Sequence, residues 1–124
     1  MTTTNTINSI HDRMKEMFSI ISDTIETPAS LQKKIEENEM SFLKKLSDIV
    51  EDINEGLALE IKFGRRDYSV EIINTLEDGE KVPNADRLVN AIKDLYMPKG
   101  YNVNFSRRND RGDYSSYYDV VISF

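Results

Sequence analysis

The sequence predicts an α+β fold: an N-terminal antiparallel helical hairpin over residues 1–56, then a ββαββ unit over 57–124 with a four-stranded, mostly antiparallel sheet, the two packed as one compact unit. Three observations lead there. The apolar period changes from about 3.6 to 2 near Gly56. Charge is uneven: residues 1–56 carry 11 acids and 6 bases, whereas 57–124 carry 11 and 10. All six tyrosines lie in the second part, and the first has no aromatic residue but Phe18 and Phe42. No Gly/Ser-rich or Pro-rich linker separates the two, which favours packed contact over a flexible tether.

The first helix is expected from about Ile7 to Ile25, capped by Thr6 or Asn8. Ile10, Met14, Met17, Ile21 and Ile25 recur at steps of four, three, four and four, and Phe18 widens their stripe. Thr27-Pro28 breaks the pattern and restarts it, with Thr27 as cap and Pro28 in the first helical position. The second helix is expected to about Asn54. Its stripe is Leu31, Ile35, Phe42, Leu46, Ile49 and Ile53, weakening at the polar Asn38 and Glu39, and Gly56 reads as its stop. So short a connection favours an antiparallel pair.

Beyond Gly56, Leu57, Leu59, Ile61 and Phe63 alternate with smaller or charged residues. Tyr68, Val70 and Ile72 follow a Gly64-Arg65-Arg66-Asp67 turn, which together read as a hairpin. Asn74–Pro83 reads as loop. Asn84 is expected to cap a helix from Ala85 to about Tyr96, ended by Pro98 and Gly100. Tyr101, Val103 and Phe105, then Tyr118, Val120, Ile122 and Phe124, read as two further strands. Each hairpin carries an Arg-Arg pair and then Asp-Tyr-Ser: Arg65-Arg66-Asp67-Tyr68-Ser69, and Arg107-Arg108 with Asp113-Tyr114-Ser115. A crossover to a parallel strand would place the two Arg-bearing turns at opposite ends of the sheet; if the long Asn74–Pro83 loop first carries the chain back along the sheet, they share an end, and the sequence does not choose.

Composition excludes several chemistries. With no Cys there is no disulfide framework or thiolate nucleophile, and with one His no His/Cys zinc site. His11 has no partners for a catalytic triad. No apolar run is long enough to span a bilayer, and the N-terminus lacks the pattern of a secretory signal, so a cytoplasmic address is expected. No phosphate-binding glycine loop is present. Asp110-Arg111-Gly112-Asp113 falls short of a calcium loop, and Gly112 reads as a turn residue. No metal or cofactor is expected, and no enzymatic activity.

Three groups remain as candidates for binding. Leu31, Ile35 and Met40 would be exposed if the second helix outruns the sheet, and another protein or a second copy would then cover them. Asp48, Glu51, Asp52 and Glu55 share one helix face by their spacing, near the C-terminal end where the macrodipole disfavours acids. Arg65, Arg66, Arg107, Arg108 and Arg111, with Tyr114 and Tyr117, could contact an anion or single-stranded nucleic acid by pairing and stacking, although a net charge of −6 opposes phosphate binding. The leading expectation is a small non-enzymatic protein that binds another macromolecule through its helical part: an adaptor, an assembly component or an inhibitor. Its size, acidity and lack of cysteine are common among phage products. Nucleic-acid binding through the arginines is the alternative, and no membrane partner is expected.

Overall fold

The computed structural model describes residues 2–109 and 115–124, with side chains from Ser9 onward. Helix α1 spans Thr2–Thr24 and α2 Pro28–Lys62; strand β1 spans Asp67–Thr75, helix α3 Ala85–Tyr96, β2 Asn102–Asn109 and β3 Ser116–Ser123. Contacts divide the chain into two compact units, Met1–Asn38 and Glu39–Phe124, with the boundary inside α2.

The sheet has three antiparallel strands in the order β1-β3-β2, not the four expected. The missing strand is the end of α2. Residues 57–62 alternate apolar and polar, but Ile53, Leu57 and Ile61 also stand four apart, which a helix satisfies equally well. Ile53 and Leu57 are buried in the core, while Leu59, Ile61 and Phe63 are left at least half exposed.

Gly56 does not stop the helix. A Cβ there would stand 2.4–2.5 Å from the Tyr68 ring, so the glycine admits that ring against the helix backbone. The stop lies eight residues further on, at Gly64, whose φ of 76° is left-handed. The Arg65 N–H donates to the Glu60 carbonyl and the Gly64 N–H to the Ile61 carbonyl, each at 3.0 Å. These two bonds are the Schellman pattern, which satisfies carbonyls that the helix end would orphan. The Arg65 side chain then reaches back to Glu60 at 3.1 Å.

Helices α2 and α3 cover one sheet face. Val70 and Ile72 of β1, Val120 and Ile122 of β3 and Val103 of β2 point inward against Ile53, Leu57, Leu88, Val89, Ile92 and Tyr96. Alternation puts Ser69, Glu71, Ile73, Asn104, Ser106, Arg108, Tyr117, Asp119 and Val121 on the opposite face. Tyr96 ties helix to helix, its hydroxyl donating to Asn54 Oδ1 at 2.8 Å, and its ring meets Tyr101 edge-on at 5.3 Å. Helix α3 has the expected bounds. Asn84 precedes it with φ of 64° and no side-chain cap; its carbonyl accepts the Leu88 N–H at 2.9 Å instead. Gly100, with φ of 98°, ends the short 3-10 turn Met97–Lys99 that follows.

The expected antiparallel hairpin does not form. Within the first unit, α1 and the start of α2 run on as one long helix bent at 25–27. Thr27 caps α2 as expected, accepting the Ser30 N–H at 3.1 Å, and Lys34 pairs with Glu26 beside the break. The break holds no glycine and no residue at positive φ, so it lacks the backbone reversal that helix–turn–helix connections commonly draw from glycine.

Replacing Gly56 by Ala tests the close approach. Helix propensity alone would stabilise the variant by about 1 kcal/mol. Displacing the Tyr68 ring costs about 1–3 kcal/mol by the usual penalty of overpacking. The expected result is a lower urea midpoint for Gly56→Ala, with the slope unchanged.

Candidate association surface

Helix α1 carries no basic residue in its last turn and no acid in its first, so its ends gain little from the macrodipole. Most helical stability in proteins comes from packing an amphipathic face and not from propensity. That packing is absent here: every residue from Ser9 to Asn38 is exposed. The stripe of Ile10, Met14, Met17, Phe18, Ile21 and Ile25 is at least half exposed throughout, and Phe18 and Ile25 reach 70%. Leu31 and Ile35 continue it on α2 at 47% and 59%. Contiguous exposed apolar faces of this extent are uncommon on monomeric proteins.

Leu31 and Ile35 therefore stand exposed in the first unit, and Met40 is exposed at 67% in the second. The α1 residues were read as facing α2, so the sequence did not single them out as a surface. Their periodicity was visible, but not the absence of an internal partner.

Asp48, Glu51, Asp52 and Glu55 are all exposed on α2. They are not four free carboxylates, because Asp52 accepts the Tyr68 hydroxyl at 2.9 Å. That bond to a carboxylate, aided by burial of the ring, raises the Tyr68 pKa above its ordinary value. Among the described residues, no group of three or more His, Asp or Glu is placed to hold a metal ion, and no helix is long and apolar enough to cross a membrane.

The arginines are dispersed. Arg65 and Arg66 precede β1, whose first residue pairs with Ser123; Arg107 and Arg108 lie near the end of β2, paired with Tyr118 and Tyr117. Strands β1 and β2 are both antiparallel to β3 and so parallel to each other, which puts the two pairs at opposite ends of the sheet. Six ladder steps between them amount to roughly 20 Å. Arg107 and Arg108 are strand residues, not turn residues, and alternation sends them to opposite faces.

Each of three guanidinium groups also has a partner. Arg65 is paired with Glu60, Arg66 lies 4.9 Å from the Phe124 ring centroid, and Arg108 is 3.7 Å from Asp119. Tyr117 is half-buried on the sheet face opposite the helices, where Asp119 pairs with Arg108. Arg111 and Tyr114, with the rest of Asp110–Tyr114, lie outside the described residues.

One cation that the sequence did not single out holds the start of the second unit together. Arg87 of α3 donates two hydrogen bonds to Glu39 of α2, at 2.7 and 2.6 Å. Its guanidinium also lies 3.8 Å from the ring centroid of Phe42, which is buried. Three residues thus act together: the carboxylate orients the guanidinium fork, and the fork covers the aromatic ring.

Comparison of the chain with protein-family models, with curated proteins and with solved structures finds no match.

The Arg87 bonds hold the Glu39 carboxyl below its ordinary pKa of 4.5. A carboxylate whose pKa is depressed by folding stabilises the fold above its unfolded pKa and loses that contribution as pH falls through the folded one. Urea midpoints of the parent should therefore drop below pH 4.5 more steeply than those of Glu39→Gln. Above that pH, the parent should be the more stable of the two.

Proposed function

We propose that the protein is a non-enzymatic association module: the 39–124 unit supplies a folded body, and the apolar stripe of residues 10–35 binds another macromolecule. The observation that carries this reading is, among the described residues, the exposure of the whole stripe with no buried residue in its unit, whereas the 39–124 unit, although it also exposes Met40, Leu59, Ile61 and Phe63, gathers thirteen buried apolar residues in one core. Burying one such side chain fully is worth about 1.5–3 kcal/mol, so eight half-exposed ones hold a reserve that a partner would recover. Methionines 14 and 17 suit the role, since flexible thioethers adapt to the surface they meet. The acidic row of α2, Asp48 to Glu55, would tune the choice of partner through rate and specificity more than through affinity.

The dispersion of the arginines favours this reading over nucleic-acid contact. A single-strand groove needs cations along one track, and these stand at two ends and on two faces.

Hydrogen exchange on the full chain, run with an apolar fluorescent dye and with solution mass, tests the reading. An open stripe gives fast exchange at 9–25 with dye bound. An occupied stripe gives protected amides in a species heavier than 14.3 kDa. In either case, Ile21→Glu should abolish the dye signal or the added mass. Protected amides in a monomer that binds no dye would mean that the chain covers its own stripe, and would overturn the proposal.

A further inference from the structure

We infer that the occupant of the stripe is a second copy of this chain, aligned parallel and in register as a two-stranded coiled coil through residues 10–35; this rests on the association reading above. The argument begins with spacing. Ile10 and Met17 take one core position of a seven-residue repeat, d, and Met14 and Ile21 the other, a. Numbering continued across residues 25–27, which belong to neither helix, puts Leu31 at d and Ile35 at a, the phase that a pair in register on both sides of the break requires. The two interruptions, Thr24 at d and Pro28 at a, flank the break itself. β-Branched residues at a, with an unbranched-β side chain such as Leu at d, favour two parallel strands. Ile21 and Ile35 at a, with Met17 and Leu31 at d, follow that preference, while Met14 at a and Ile10 at d run against it.

Charge placement then points to a copy of the same chain. Between Ser9 and Asn38 the acids are Asp12, Glu16, Asp23, Glu26, Glu36 and Glu37. Every one falls at the outer positions b, c or f of this repeat. The positions e and g, which flank the core, hold no acid there: they are His11, Phe18, Ile25 and Gln32, and Arg13, Ile20, Thr27 and Lys34. Two copies of an acidic chain repel, and this arrangement keeps every carboxylate away from the seam.

Orientation follows from the same positions. In a parallel pair each g residue meets the e residue five further along the other helix. Arg13 then meets Phe18, Ile20 meets Ile25 and Thr27 meets Gln32, so no like charges face each other. The Ile20–Ile25 contact extends the apolar seam on both sides and gives the exposed Ile20, at 64%, a place to be buried. An antiparallel pairing centred on the same stripe would set Arg13 against Lys34 of the other copy. The parallel pair is also isologous and closes on itself.

The chain has no cysteine, so single cysteines report geometry cleanly. Three measurements on the full chain are needed: mass by light scattering, disulfide formation in Met14→Cys and Lys15→Cys under mild oxidation, and mass of Ile21→Glu. The inference expects about twice the 14.3 kDa of one chain, near-complete linkage of Met14→Cys at its core position, and little linkage of Lys15→Cys at its outer one. Ile21→Glu should fall to a single chain, and an unchanged tyrosine near-ultraviolet signal would show that the 39–124 unit is still folded.

A dimer in which Met14→Cys does not link is antiparallel and overturns the inference, as does a trimer or larger species. A monomer that binds apolar dye overturns the second copy but leaves association with another protein standing. A monomer with a protected stripe and no dye overturns both.

Discussion

The contact of the Tyr68 ring with the backbone at Gly56 sets the geometry of the 39–124 unit. It lets α2 lie close against β1 and holds the register by which Ile53 and Leu57 meet Val70 and Ile72 in the core. The Tyr68 hydroxyl reaches Asp52, one turn earlier on the same helix, so a single side chain spans the face that glycine leaves bare. The helix runs through Gly56, and the chain turns at Gly64.

Burial is unequal between the two units. From Glu39 onward, apolar side chains of two helices and three strands converge in one core, and the Arg87–Glu39–Phe42 cluster holds the first turns of that unit to α3. From Ser9 to Asn38 no residue is buried, although the apolar stripe there is as regular as the one that feeds the core. Folding recovers the free energy of apolar surface only when that surface meets another. A stripe without an internal partner therefore carries an unspent driving force for association.

The helical periods, the Thr27-Pro28 restart, the bounds of α3 and the alternation in β1, β2 and β3 were all legible in the residues. Each depends on neighbours within a turn or two, where side-chain spacing and capping are local matters. The spacing of Ile10, Met14, Met17 and Ile21 was equally legible, but not that this stripe has no partner within its own unit. The stop at Gly64 was not, because a glycine that ends a helix and one that admits a ring look alike in sequence. The same ambiguity turned residues 57–63 into a strand, since Leu57, Leu59 and Ile61 fit a period of two while Ile53, Leu57 and Ile61 fit a helix.

Local chemistry thus settled which segments are amphipathic and which face of each is apolar. Tertiary contact settled what those faces meet. Whether a stripe is core or surface depends on a partner distant in the chain, and no spacing of residues encodes that distance. Tyr68 packs at Gly56, and Arg87 pairs with Glu39 over Phe42. The residues from Ile10 to Ile35 found nothing within their own unit, and that absence, rather than any motif, makes them the surface on which the protein's function is proposed to rest.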